Sequence, residues 1–300
     1  MSLVVLGTVA LDSLKTPCGE KKDLLGGSAA HFSMSASHFT QVHLAAVIGE
    51  DFPKKHIQFL KNKGIITKSL AAQKGKTFRW CGEYKKDDLN VAHTKTTELG
   101  VIAECFPSLH KTQKNIKNVF LGNYAPDVQL KFLKELNNPE FIGLDTMNLW
   151  IHNMRQDVLK LLKKADILII NDAETKALSR EDNLLKAAKH LNSLGPKMVI
   201  VKKGEHGCLF YSKKYVFNLP AFPIEKVVDP TGAGDTFAGG VMGYLAKSPK
   251  INENILKRAI AYGTIFSSFN VSGFGMKCTG LLKKSQVENR LKVYKNFFKF

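Results

Sequence analysis

Short β-branched runs alternate with stretches of helical periodicity along most of this chain, and that alternation admits few architectures. Parallel strands cannot be joined by a tight turn, so a chain that alternates in this way reads as a parallel sheet with crossover helices. Strands are predicted over residues 2–7, 42–48, 119–122, 141–145, 167–170 and 198–202, and helices over 27–38, 53–63, 127–136, 154–163 and 181–194. Residues 208–211 and 215–219 read as a hairpin, and the C-terminal part turns helical over 235–245, 252–269 and near 285–293. With 300 residues and 44% hydrophobic content, the chain can bury the core of one large α/β domain, alone or with a small appendage.

One region breaks the alternation. Between residues 65 and 102 no long helix is predicted. Strand-like segments at 76–84 and 91–97 flank Lys85-Lys86-Asp87-Asp88. Together with residues 11–24 they form a predicted β-appendage. Two uses are open to it: a lid that excludes water from a site, or an ordinary surface hairpin or dimer contact.

Several classes are set aside. The apolar run at 2–7 is too short for a secretory leader, and no segment approaches the roughly 20 apolar residues that span a bilayer. Cys18, Cys81, Cys105, Cys208 and Cys278 are scattered and odd in number, which suits a reducing cytoplasm better than a disulfide framework or a zinc site. The formal charge of +18 comes mainly from lysines spread singly or in pairs through the predicted helices. A nucleic-acid reader would cluster its cations and favour arginine, so neither nucleic acid nor a membrane is expected as partner. Gly75-Lys76-Thr77 mimics the end of a phosphate-binding P-loop. The glycine needed at position 70 is Leu70, however, and strand-like Phe78-Arg79-Trp80 follows where a helix should begin.

The chemistry concentrates in Val228-Asp-Pro-Thr-Gly-Ala-Gly-Asp235, a glycine turn that opens an apolar helix pattern. Such a turn exposes unpaired N–H groups at the positive end of a helix dipole, where they suit a phosphate. Asp235 is placed to take a proton from a hydroxyl facing that phosphate, or, alternatively, to cap the helix. Gly26-Gly27, between the first strand and the next helix, would let backbone approach a polyhydroxylated molecule closely. Asp12 is a candidate acceptor for its hydroxyls. Asn171 and Glu174, just beyond a parallel strand, either hold water around Mg²⁺ or form a capping box.

In their order along the chain, Asp12, Gly26-Gly27, Asn171-x-x-Glu174 and Asp229-Pro-Thr-Gly-Ala-Gly-Asp235 resemble the ribokinase-like (PfkB) family of carbohydrate and nucleoside kinases. The resemblance implies a three-layer α/β/α fold with a mostly parallel central sheet and a small β lid within about residues 11–24 and 65–102. It implies Asp235 as catalytic base and Gly232, Ala233 and Gly234 as an anion hole. Asp12, Gly26 and Gly27 would face the acceptor. Asn171 and Glu174 would lie near Mg²⁺ and the phosphates of ATP. Lys203, Gly204 and Gly207 match a strand-end turn facing the nucleotide, with Thr231 also near it, and Asn270 matches an adenine-pocket position. Asp229 and Thr231 match positions beside a monovalent cation, K⁺ in many members.

The departures bear on the acceptor. Sugar-kinase members commonly read Gly-Gly-x-x-x-Asn, whereas the sixth position here is His31. The imidazole either hydrogen-bonds an acceptor hydroxyl or is a satisfied core group. Phe78, Trp80 and Tyr84 alternate along one lid strand, fit either for stacking on a nucleobase or for a small core. The expected activity is transfer of the γ-phosphoryl of ATP to a primary hydroxymethyl of a sugar. A nucleoside kinase and a catalytically silent nucleotide-binding regulator are the alternatives, and the lid is also a candidate homodimer contact.

Overall fold

The computed structural model describes residues 1–248 and 250–298. In chain order the strands are β1 (Ser2–Leu6), β2 (Ala10–Thr16), β3 (Gly19–Gly26), β4 (Gln41–Gly49), β5 (Ile66–Gln73), β6 (Arg79–Lys85), β7 (Asp88–Glu98), β8 (Asn118–Leu121), β9 (Phe141–Leu144), β10 (Ile167–Asn171), β11 (Met198–Lys202), β12 (Cys208–Ser212) and β13 (Val216–Leu219). The helices are α1 (Ser28–Ala36), α2 (Lys54–Asn62), α3 (Pro126–Leu133), α4 (Asn148–Asn153), α5 (Arg155–Leu162), α6 (Asp172–Ser179), α7 (Leu184–Ser193), α8 (Ala233–Ala246), α9 (Glu253–Asn270), α10 (Lys277–Leu281) and α11 (Lys284–Asn296).

A nine-stranded sheet runs β13-β12-β11-β10-β9-β8-β1-β4-β5, and only β12 runs antiparallel to its neighbours, β11 and β13. Side chains alternate strictly between its two faces. Leu3, Val5, Ile167, Ile169 and Ile200 join one core with residues of α1, α8 and α9, while Val4, Leu6, Leu168, Ile170 and Val201 join a second with residues of α3, α5, α6 and α7. Two covered faces explain why these strands are apolar at every position. The result is a three-layer α/β/α sandwich.

The chain runs from β1 outward to β4 and β5, then returns to β8 on the other side of β1. That reversal opens a crevice beyond the carboxyl ends of the strands, the usual place for a ligand in an open α/β sheet.

A separate four-stranded sheet, β3-β2-β6-β7, stands apart from the large one. Strand β5, within the 65–102 stretch read from sequence as lid, instead pairs with β4 at the edge of the large sheet, His43 against Ile66 and Gly49 against Gln73. The sequence reading also ran past α6. Its eight residues start immediately at the end of β10, where the sequence offered a helix start only as the capping-box alternative at Asn171 and Glu174, and the helix predicted over 181–194 corresponds to α7 alone.

Candidate active site

The period of two in the strands decides what meets at the crevice. Lys202 continues the face of Met198 and Ile200, Asn171 that of Ile167 and Ile169, and all of these lie on the α8 side of the sheet. Asp145 follows the end of β9 in the same way. Three neighbouring strands therefore deliver Asp145, Asn171 and Lys202 toward the N-terminus of α8.

Gly232 precedes that helix with φ of 70°, a left-handed conformation suited to glycine. The Gly232 and Gly234 N–H groups have no acceptor among the described residues, whereas Ala233 N–H is directed to the Pro230 carbonyl at 3.2 Å. Of the expected anion-hole donors, Ala233 is thus already engaged. Asp235 occupies the third helical position. Burial and the nearby Asp145 push its carboxyl up to about 7, against an opposing pull from Lys202.

The expected acceptor side consists of β2 and the start of α1. A side chain at Gly26 would collide with the Asp12 carboxylate at 1.9 Å, and one at Gly27, where φ is 92°, would meet the Thr8 carbonyl at 2.4 Å. Asp12 is buried, and its carboxyl is pushed up to about 7 by burial and by Asp229, despite a hydrogen bond from Gly27 N–H. Asp235 as well as Asp229 raises Asp12, which puts both halves of the site in one electrostatic neighbourhood.

His31 and Asn270 lie behind the glycine turn. His31 Nδ1 is 3.2 Å from Asn270 Oδ1, which also accepts from the Thr236 hydroxyl at 3.1 Å, while Asn270 Nδ2 donates to the Thr231 carbonyl at 2.8 Å. An amide oxygen can only accept, so Nδ1 carries the proton, and burial holds the imidazole below its ordinary pKa. The satisfied-core reading of His31 thus describes its observed bonding. Asn270, expected at an adenine pocket, is fully buried and braces the turn from within.

Asn171 and Glu174 form the capping box: Asn171 Oδ1 accepts from Glu174 N–H at 2.7 Å, and Glu174 Oε2 accepts from Asn171 N–H at 2.9 Å. Each carboxylate or amide oxygen has further lone pairs, so the cap leaves capacity for water. Burial and Asp145 push Glu174 up to about 7. Beside Asp145, the buried Thr146 hydroxyl has no partner. An all-oxygen set of carboxylate, amide and an unpartnered hydroxyl suits Mg²⁺, which favours oxygen and keeps much of its water. No cluster of three metal-ligating side chains occurs among the described residues, so the fit is to a hydrated ion rather than a caged one.

Asp229 is fully buried, and its oxygens accept from Thr231 N–H at 2.9 Å and Gly275 N–H at 2.8 Å. No cationic side chain pairs with it among the described residues. A buried carboxylate without a counter-charge fits a bound monovalent cation.

The small sheet reaches both halves of the crevice. Thr231 hydroxyl donates to the Tyr84 oxygen at 3.2 Å, and Asn90 Nδ2 donates to Glu205 Oε2 at 2.5 Å. Asn90 thereby covers Gly204, in the turn that the Lys203 N–H to Gly207 carbonyl bond closes at 2.7 Å. Sequence reasoning missed Asp145, Lys202 and Asn90. For the first two a signal existed, since each is a charged residue at the carboxyl end of a buried parallel strand; for Asn90 there was none.

A phosphate-ready helix N-terminus facing a buried acid at the switch point of this sandwich defines a ribokinase-like phosphotransferase. The profile of the pfkB family carbohydrate kinases matches residues 12–278, and the chain belongs to that family, as an ATP-dependent phosphotransferase with an alcohol group as acceptor. Among curated relatives, a cytidine kinase of Thermococcus kodakarensis is 29% identical over 261 residues, covering 84% of this chain and 91% of its own length. Fructokinase-2 of Zea mays is 34% identical over 113 residues, 36% of this chain and 33% of the relative. Among solved structures, the ribokinase of Cryptococcus neoformans in complex with ADP superposes with a TM-score of 0.77 at 22% identity, covering 96% of this chain and 99% of the other. No helix of the described residues is long and apolar enough to cross a membrane.

Proposed function

We propose that this kinase transfers the γ-phosphoryl group of ATP to the primary hydroxymethyl of a nucleoside. The observation that carries the acceptor class is the Trp80 platform. Trp80 pairs in register with Asp12, so the two side chains share a face of the small sheet. A side chain at Gly82 would strike the indole at 2.2 Å, and Trp80 Nε1 donates to Thr94 at 3.1 Å, so the ring is held flat along the strand. A fixed aromatic plane beside a hydroxyl-binding carboxylate matches a sugar that carries a base. The cytidine kinase likeness, which runs over most of both chains, supports the same reading. A free hexose is the second reading, favoured by the shorter fructokinase match.

Asp12 and the Gly27 backbone hold the sugar hydroxyls, and the small sheet acts as a lid over them. Asp235 accepts the proton of the hydroxymethyl as its oxygen attacks in line. The Gly232 and Gly234 N–H groups meet charge on the transferred group. Asn171 and Glu174, with Asp145 and Thr146, are the residues that would hold hydrated Mg²⁺, which supplies charge neutralisation at the phosphates when bound. Asp229, with Thr231, would hold K⁺.

The test is ADP release from Mg-ATP with pyrimidine and purine nucleosides, ribose and fructose, with Asp235→Asn alongside. Nucleoside-dependent release that falls about 10²–10⁴-fold in the variant, with nucleotide affinity largely kept, is expected. Release with fructose alone would move the assignment to the hexose reading. ATP binding with no release for any acceptor would indicate the silent regulator.

A further inference from the structure

The backbone donors of the glycine turn do not account for Lys202. Its side chain lies along the outer face of that turn: a β-carbon built on Gly234 would be 3.0 Å from Nζ, 3.8 Å from Cε and 3.9 Å from Cδ of this lysine, which supplies all three nearest atoms. The side chain is 17% exposed, and its one polar partner among the described residues is Asp145, at a long 3.5 Å. An ammonium has three donors, so most of its hydrogen-bonding capacity is unspent within an enclosed site.

We propose that Lys202 binds the γ-phosphoryl group of ATP from the side opposite the acceptor-binding Asp12, moving from Asp145 onto a γ-phosphate oxygen beside the Gly234 N–H. The proposal rests on the kinase reading of the site. In the transfer, the bond from the β–γ bridging oxygen to the γ-phosphorus breaks as the acceptor oxygen bonds to that phosphorus. The hydroxyl proton passes to Asp235, and Lys202 stays protonated throughout. A lysine serves here as a point charge that follows the moving group, and Asp145 parks it between turnovers.

The experiment compares wild type with Lys202→Met and Lys202→Arg. It measures calorimetric affinities for Mg-ATP and Mg-ADP, and kcat and KM with an active acceptor. If Lys202 binds the γ-phosphoryl, Lys202→Met loses most of the preference for ATP over ADP and at least about 10²-fold in kcat, and Lys202→Arg recovers part of both. A purely structural counter-ion would lower melting temperature but leave the ATP-to-ADP ratio unmoved. Equal weakening toward both nucleotides, or kcat within about threefold of wild type, would overturn the proposal. Should Lys202→Met not fold, Lys202→Gln and Lys202→Arg carry the same comparison. Asp235→Asn separates the two claims. Activity lost there but kept in Lys202→Met refutes the role of Lys202 alone, and if no acceptor is turned over, the ATP-to-ADP ratio still decides it.

Discussion

The His31 imidazole lies so tightly against Gly232 that a β-carbon on the glycine would fall 2.3 Å from the ring. The helix that begins after the Gly26-Gly27 pair thus sets the height of the phosphate-facing turn. Gly232→Ala should strain the backbone at φ 70°, at about 1–2 kcal/mol for the left-handed conformation, and also displace His31. Turnover should drop by at least about 10²-fold, as when one oxyanion donor is lost, with secondary structure retained. Initial rates and circular dichroism check this, and wild-type turnover in the alanine variant would show that the turn tolerates displacement.

A base must be deprotonated to act. With the Asp235 carboxyl near 7, kcat/KM should rise with pH through about 7 and level off above it. Asp145 is a neighbouring negative charge that raises Asp235, so Asp145→Asn should move this limb to lower pH. A pH–rate profile on both proteins is the measurement, and a limb that stays in place would remove Asp145 from the electrostatics of the base.

The same burial has a stability signature. A carboxyl raised from 3.8 to about 7 on folding binds more protons in the folded state between those values, so its contribution is intact below the lower one and lost as pH rises through the upper. Asp235→Asn should therefore be stabilising above pH 8, by on the order of 1–3 kcal/mol, and nearly neutral below pH 4. Denaturant midpoints across that range test it, and equal effects at both ends would contradict the cause given.

Potassium should raise turnover relative to choline at equal ionic strength, because Asp229 is a buried carboxylate with no cationic side chain among the described residues. In Asp229→Asn the amide must face the N–H groups of Thr231 or Gly275 with at least one mismatched contact, costing about 1–3 kcal/mol. The variant should lose the potassium response, and a response that persists would place the cation elsewhere.

Trp80→Ala should raise KM for a nucleoside roughly 5- to 150-fold, the equivalent of about 1–3 kcal/mol of stacking, while KM for free ribose changes little. Parallel kinetics with the two acceptors make the comparison, and equal losses on both would assign Trp80 to lid packing.

How much of this was legible depended on whether the signal was local. The alternation of strand and helix and the order of Asp12, Gly26-Gly27, Asn171, Glu174 and Asp229 through Asp235 are local patterns, and they carried the fold class and most of the crevice. The sequence could also pose the choice at Asn171 and Glu174 but not resolve it, since a capping box and a water-holding pair use the same residues, and the structure shows the cap. Strand β5 was misplaced because pairing to β4 is a non-local choice that its polar alternation does not reveal. The bonds of Asn270 to His31, Thr236 and Thr231 were not legible because they join residues far apart in the chain. Lys202 and Asp145 were passed over because each ends a strand of a different βα unit, and their meeting depends on strand order.

Helix α8 carries Gly239, Gly240 and Gly243, where side chains would strike Phe32 and Ala36 of α1 or Gly263 of α9. The three helices therefore lie backbone against backbone, and the start of α1 is fused to the start of α8 as one solid piece. The small sheet is a separate one, joined to that piece by Leu11 and Leu25 in the shared core and by the Tyr84–Thr231 bond. Substitutions at small-sheet positions such as the half-buried Trp80 leave this backbone-against-backbone packing untouched.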